Sequence, residues 1–478
     1  MIEVPQFSDK TVAVMGLGRS GLAAAEALMA SGAGVWAWDD VDGVRRKAHA
    51  RGVPLVDLTD CDWSQPAALV LSPGIPLHYP APHAVVQRAR AAGCEIVGDV
   101  ELLARAQTEA RFVGVTGTNG KSTTTALIAH IFEAAGLEAQ VGGNLGTPAL
   151  ALEPLNARGT YVLEISSFQL DLTFSAAFDV AILLNIFADH LDRHGDMDGY
   201  VAAKRRIFRN QGPTHTAVVG VDDGYSRQVY DDIKADADRT IIPVSGRRPV
   251  EGGVYVVDGW LYDDTDGRGT RAANLDGAAA LPGAHNWQNA SAAYAAARSV
   301  GADAQAIAAG IQGFPGLPHR QERIAVVDGV RYVNDSKATN ADATAEALAC
   351  YTNAYWIAGG RPKEGGIAGL SPWFGNIAHA FLIGEAADGF AGTLRGKVPF
   401  TRSGDLATAT RQAAGMARSD GRPDPVVLLS PACASFDQFE DFEARGEAFR
   451  ALVAALPGEH QGPGHRAGAG DRVTGARS

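Results

Sequence analysis

Residues 111–132 constrain this chain most, because they allow one local arrangement: strand, tight loop, helix. Arg111-Phe-Val-Gly-Val-Thr116 is a β-rich run of buried character, and Ala126-Leu-Ile-Ala-His-Ile-Phe132 has the apolar content of a buried helix. Between them stands Gly117-Thr118-Asn119-Gly120-Lys121-Ser122-Thr123. Glycines at 117 and 120 let backbone N–H groups turn toward phosphate oxygens, and the helix N-terminus favours an anion. Lys121 places a cation at the β- and γ-phosphates, and Ser122 or Thr123 offers a hydroxyl to Mg²⁺. The common phosphate-loop spacing wants a glycine where Val115 stands, so the loop is a variant with Gly117 and Gly120 doing the turning. The expectation is a bound nucleoside triphosphate.

The rest of the chain repeats that alternation, which predicts α/β layers. Its 478 residues exceed one hydrophobic core and suggest roughly three domains. Thr11–Met15, Gly16-Leu-Gly18-Arg19-Ser20-Gly21 and a helix to about Ala30 make a Rossmann-like opening, with Val35–Trp38 ending in Asp39. The glycine fingerprint predicts a diphosphate at a helix N-terminus without specifying NAD. Gly253–Tyr262 and Ile324–Val333 read as hairpins, each with an Asp-Gly turn. Gly313–Pro318 reads as a linker. The expected boundaries are 1–107, 108–317 and 318–456, with 457–478 a disordered tail poor in large apolar residues.

The net charge of -12 argues against a nucleic-acid partner. Cys61, Cys94, Cys350 and Cys433 form no C-x-x-C pair, which fits a reducing cytosol and no zinc site. The N-terminus has no signal-peptide pattern, and no apolar run reaches the ~20 residues of a membrane span.

Further polar groups fall at strand ends, where open α/β sheets bind ligands. Glu164 and His190 beside a phosphate loop suit metal ions. Lys204, in Tyr200-Val-Ala-Ala-Lys-Arg-Arg206, has the pattern of a solvated helix lysine. Asn334-Asp-Ser-Lys-Ala-Thr-Asn340, Gly359-Gly-Arg-Pro-Lys363 and Leu429-Ser-Pro-Ala-Cys-Ala-Ser435 each follow a strand.

The chain resembles the Mur ligases of peptidoglycan synthesis, and among them the D-glutamate-adding branch. The resemblance is carried by Gly-Thr-Asn-Gly-Lys-Ser-Thr (117–123), Gly-Gly-Asn-Leu-Gly (142–146), Leu-Glu-Ile-Ser-Ser-Phe-Gln-Leu (163–170) and Asp-His-Leu-Asp-Arg (189–193). It continues through Gly-Ala-His-Asn (283–286), Pro-His-Arg (318–320), Asn-Asp-Ser-Lys-Ala-Thr-Asn (334–340) and Ser-Pro-Ala-Cys-Ala-Ser-Phe-Asp-Gln-Phe (430–439). It implies a Rossmann-like N-terminal domain, a central P-loop ATPase-like mixed sheet and a C-terminal Rossmann-like domain. It also implies an ATP-dependent, ADP-forming amide ligase acting in the cytoplasm through an acyl phosphate, as a monomer, with two Mg²⁺ ions. The implied substrates are UDP-N-acetylmuramoyl-L-alanine and D-glutamate.

By the same resemblance Lys121, His190 and Lys204 serve catalysis. Ser122, Glu164, His190 and Lys204, the last as a carbamate, hold metal. ATP falls to residues 117–123, Asn286, Arg320 and Asp335. The substrate set is Gly18, Arg19, Ser20, Asp39, Ser72, Gly74, Asn144, Ser166, Lys337, Thr339, Lys363, Ser435 and Phe442. Position 361 departs from the pattern: relatives carry an acidic residue where this chain has arginine. Rival readings are an NAD-dependent oxidoreductase, which leaves the phosphate loop unused; a small-molecule kinase or ATP-driven binding protein, which needs no further ligand domains; and a sibling ligase for another amino acid.

Overall fold

Three β-sheets organise the described residues, each built around a core of parallel strands. The computed structural model describes residues 1–235, 238–363 and 365–462.

The first sheet is four-stranded and parallel, in the order Gly34–Trp38, Thr11–Met15, Ala68–Leu71, Glu95–Val97. Its opening turn leads into the helix Arg19–Ala30, as the glycine spacing predicts. A methyl group at Gly21 would collide with the Gly16 carbonyl, so the helix packs against the turn only with glycine there.

The second sheet has nine strands. Arg111–Thr116 lies between Thr160–Glu164 and Val180–Leu183, all parallel. From Arg111–Thr116 the chain goes out to the edge strand Ala139–Gly143, returns to Thr160–Glu164, then crosses to Val180–Leu183 on the other side. The order therefore reverses around residue 116, and a crevice is expected there. Thr216–Gly220 and Thr240–Ser245 extend the sheet in parallel, and Val254–Val257, Trp260–Asp263 and Thr270–Asn274 finish it. The predicted hairpin turn is present: Asp258 and Gly259 have φ 49° and 72°, as a type I′ turn requires.

These two sheets form one compact unit, Met1–Ala278 with Ala284–Phe314. One apolar core runs through both, from Ile2, Val12 and Leu28 to Leu163, Phe178 and Ile207. The buried Glu101 carboxylate accepts hydrogen bonds from the Phe174 and Ser175 amides at 2.7 and 3.0 Å and lies 2.8 Å from Arg105. These contacts cross the division expected after residue 107.

The second unit comprises Ala279–Gly283 and the described residues from Pro315 onward. Its seven-stranded sheet runs Phe400–Gly404, Ile377–Ile383, Ala354–Gly359, Val426–Leu429, Val330–Asn334, Glu322–Val327, His460–Gln461. Apolar side chains cover both faces, led by Trp356, Leu382 and Leu428 on one and Tyr355, Phe381 and Phe449 on the other. The last strand corrects the expected tail. Val326 and Val327 pair with Gln461 and His460, and the Glu459 amide donates to Asp328 at 2.8 Å. Backbone pairing offsets the ordering entropy that composition alone leaves uncompensated. Residues 463–478 of that expected tail lie outside the described residues.

Among the described residues no helix is long and apolar enough to cross a membrane.

Candidate active site

The phosphate loop stands at the reversal of strand order. Gly120 has φ 85° and caps the helix Lys121–Ala134. A Cβ there would strike the Asn289 side chain, so both backbone and space require glycine. The loop is fastened to the neighbouring strand end. Thr118 N donates to Asn185 O at 2.9 Å, Asn119 N to Asn185 Oδ1 at 2.9 Å, and Asn185 Nδ2 to Asn119 O at 3.1 Å. Such fixed backbone makes a pre-organised anion cradle.

Two amines converge on this loop. Lys121 Nζ donates to Gly117 O and Thr118 O, both at 2.9 Å. Lys204 Nζ donates to the same Gly117 O at 2.8 Å. The pattern of a solvated helix lysine fails here: Lys204 is 1% exposed, with Nζ 4.6 Å from the Tyr200 ring centroid. Burial, then the neighbouring Lys121 ammonium, holds Lys204 well below the usual lysine range.

Glu164 ends the adjacent strand and is 3% exposed. Its Oε1 accepts from Asn144 Nδ2 at 2.7 Å, while the buried Oε2 has no hydrogen-bond partner. A bare buried carboxylate oxygen is costly and points to a cation. Among the described residues no three His, Cys, Asp or Glu side chains form a metal cluster. A hard cation that takes most ligands from water and phosphate does not need one, and Ser122 is buried at the start of the same helix. The residues therefore fit Mg²⁺.

Ser166 is engaged as a helix cap: its hydroxyl accepts from Gln169 N at 3.2 Å within a capping box. His190 has φ 53° and its side chain is 48% exposed, 3.4 Å from Asp189. Partial desolvation of the half-exposed ring, opposed by the Asp189 carboxylate, lowers its pKa. Asn286 lies on the helix Gly283–Val300, where Asn289 donates to it at 3.2 Å.

On the first sheet, Asp39 accepts from Leu17 N at 2.7 Å and Val41 N at 2.8 Å, and Ser72 donates to Gly16 O at 2.7 Å. Both shape the glycine turn. Arg19 donates to Gly146 O. Ser20 stands in the first turn of the helix Arg19–Ala30, near the buried Asp99. Gly74 O accepts from Arg193 at 2.9 Å.

In the second unit the expected residues gather at strand ends. Asp335 is buried and accepts from Ser430 Oγ at 2.7 Å and Gln321 N at 3.1 Å. Burial pushes its carboxyl up to about 7 from 3.8. Lys337 Nζ lies 3.7 Å from the Phe442 ring centroid, the Lys337 amide donates to His319 O, and Ser435 is buried. Lys363 is exposed, while Thr339 is half-buried. Arg361 faces Glu385 at 3.6 Å, so an acidic group is present beside the position that departs from the family pattern.

Sequence reading missed Arg445. It is 1% exposed and donates to Ser336 Oγ, Ser336 O and Cys433 O at 3.0, 2.8 and 3.2 Å, lashing two expected segments together. Asn289 was missed as well, although it stands one turn beyond Asn286.

A folded pKa raised above the unfolded value contributes stability that is fully present below pH 3.8. That contribution disappears as pH rises through about 7. The second unit is therefore expected to lose up to about 4 kcal/mol across that range from Asp335. Denaturant melts of Asp335→Asn should show a flatter pH profile than the parent chain; parallel profiles would contradict it.

A phosphate loop at a sheet reversal, two converging amines and a buried carboxylate oxygen are the groups that a nucleotide-dependent phosphoryl-transfer centre needs. Residues 115–297 match the Mur ligase middle domain. UDP-N-acetylmuramoylalanine–D-glutamate ligase of Phenylobacterium zucineum is 55% identical over 462 residues, covering 95% of this chain and 98% of the relative. The same-named enzyme of Caulobacter vibrioides is 54% identical over 462 residues, covering 95% and 98%. The crystal structure of UDP-N-acetylmuramate–alanine ligase from Thermotoga maritima shares the fold with TM-score 0.56 at 18% identity, covering 93% of this chain and 99% of that one. This chain belongs to the family of UDP-N-acetylmuramoylalanine–D-glutamate ligases.

Proposed function

We propose that this protein joins the amine of D-glutamate to the alanyl carboxylate of UDP-N-acetylmuramoyl-L-alanine, forming ADP and phosphate. The observation that carries the reading is the convergence of Lys121 and Lys204 on the Gly117 carbonyl, in a chain 55% identical to a UDP-N-acetylmuramoylalanine–D-glutamate ligase.

A carboxylate and an ammonium do not condense unaided. The alanyl carboxylate oxygen attacks the γ-phosphorus, the bond to the β-phosphate oxygen breaks, and ADP leaves. The glutamate amine then attacks the acyl carbon and loses a proton. The carbon–oxygen bond to phosphate breaks, giving an amide. Lys121 neutralises charge on the transferring phosphoryl group, and the loop N–H groups hold it in line. Ser122, Glu164, His190 and carbamylated Lys204 would hold up to two Mg²⁺ ions, which supply further positive charge when bound. Lys204 suits carbamate formation because its amine is buried without a carboxylate partner.

Residues 1–107 carry the candidate UDP-substrate groups Gly18, Arg19, Ser20, Asp39, Ser72 and Gly74, and residues 108–317 the phosphate loop with Asn144, Ser166 and Asn286. Residues 318–456 carry the rest. Arg320 and Asp335 are candidate ATP ligands there, and Lys337 is a candidate partner of the acyl phosphate. Lys363, Thr339, Ser435 and Phe442 form the D-glutamate set, in which a carboxylate needs cationic or hydroxyl partners. We place the protein in the cytoplasm, as a monomer.

Oxygen-18 in the alanyl carboxylate should appear in the released phosphate, because the attacking oxygen leaves with phosphorus. Phosphate free of label would exclude the acyl phosphate.

A further inference from the structure

Arg193 ties the two halves of the first unit together. The C-terminal end of the first sheet leads into Pro73, Gly74 and Ile75, beside the glycine turn. Arg193 comes from the short helix Leu191–His194, whose N-cap is His190. Its Nη1 donates to Gly74 O at 2.9 Å, and its Nη2 to Ile75 O at 3.1 Å and Pro73 O at 3.4 Å. The guanidinium stacks on Phe168, 4.6 Å from the ring centroid. Phe168 in turn meets His190 edge-on at 5.0 Å and stacks on His194 at 5.4 Å. Phe168 belongs to the helix Ser167–Asp171, which starts three residues after Glu164. A second contact runs parallel: Tyr79 packs on Gly195.

A planar guanidinium is suited to this task, since its fixed fork can hold several carbonyls of one loop at once. A lysine could reach one or two without fixing their plane. The three acceptors are consecutive backbone carbonyls of one loop, so the bonds set that loop's position rather than balance a side-chain charge. The loop that would receive the UDP part is thereby joined, through one side chain and one aromatic ring, to the segment bearing His190.

We infer that Arg193 is a positioning residue that couples occupancy of the 72–75 loop to the placement of His190 at the phosphoryl-transfer centre. This rests on the ligase reading above. Ordering of either ligand's loop pre-orders the other, so the two ligands bind with positive coupling.

The test is calorimetry on the full chain with UDP-N-acetylmuramoyl-L-alanine and the non-hydrolysable Mg²⁺–ATP analogue AMP-PNP, separately and together. In the unsubstituted chain each ligand should strengthen the other at least about fivefold. Arg193→Met should keep each separate affinity within about threefold, bring the coupling factor near one, and lower kcat while leaving the KM for D-glutamate unchanged. Arg193→Lys should fold as the parent does and recover only part of the coupling, which a merely structural role would not distinguish. Undiminished coupling in Arg193→Lys and Arg193→Met overturns the inference and leaves the ligase reading standing. Failure of the unsubstituted chain to bind either ligand overturns the ligase reading, and this inference with it.

Discussion

Lys121→Ala should reduce ADP formation by at least about 10²- to 10³-fold while leaving the melting temperature nearly unchanged. Two of its hydrogen bonds go to loop carbonyls at 2.9 Å, and the side chain is half-buried, outside the apolar core. Its removal therefore leaves the core intact. What is lost is a cation at the place where charge develops as the γ-phosphoryl group moves. Lys121→Arg should not rescue, because a planar guanidinium does not fit a point-charge site within the loop. Steady-state ADP release and circular-dichroism melts check both halves; near-parental turnover in the alanine variant would remove Lys121 from the mechanism.

Lys204→Ala is expected to cost as much activity and more stability. The side chain is 1% exposed, and its removal leaves a cavity beside Tyr200 and an unpaired direction at Gly117 O. Loss of about 2–4 kcal/mol would be ordinary for a truncation of this size. The sharper test separates stability from chemistry. The parent chain, freed of dissolved CO₂ and bicarbonate, should lose activity and regain it when bicarbonate is restored, because a carbamate forms only from a neutral amine and CO₂. Native mass spectrometry of the intact chain should show a gain of one CO₂ that is absent from Lys204→Ala. Activity indifferent to bicarbonate, with no adduct, would leave Lys204 as a packing residue.

How much of this was legible beforehand depends on the kind of residue. Strongly apolar strands were readable: Thr11–Met15, Arg111–Thr116 and Val426–Leu429 fall at the expected residues. So were both Asp-Gly hairpins, because positive φ at consecutive residues is a local demand. Edge strands such as Ala139–Gly143 and Phe400–Gly404 were not. They are glycine-bearing or polar, and only their neighbours' hydrogen bonds make them strands. His460–Gln461 is the extreme case, two polar residues ordered by one hairpin edge.

The candidate site divides the same way. Glycine spacing announces the loop around Lys121, since the backbone conformation is written into the residue type. The burial of Lys204 is invisible in Ala-Ala-Lys-Arg-Arg, where every local cue says solvent. Arg193, Asn289 and Arg445 act through contacts between segments far apart in the chain. Arg193 closes the motif at 189–193, but neither that motif nor any periodicity says which distant segment such a side chain reaches. The roles of Ser72, Asp39 and Ser166 also change once seen: each hydroxyl or carboxylate already serves a backbone group of its own turn or cap. Any ligand contact from them is made by a group that the fold has fixed in place beforehand, which is how a pre-organised site is built.

The central claim is that this protein adds D-glutamate to a UDP-linked muramoyl alanine. ADP release measured with UDP-N-acetylmuramoyl-L-alanine, Mg²⁺ and ATP across a panel of D- and L-amino acids tests it most directly. Chirality should be enforced by three fixed points, and a misplacement of ~1 Å in the attacking amine can cost roughly 10²-fold. The account predicts rapid ADP release with D-glutamate and at least about 10²-fold less with L-glutamate, L-lysine or meso-diaminopimelate. Equal turnover with L-glutamate, or a preference for another amino acid, would contradict it.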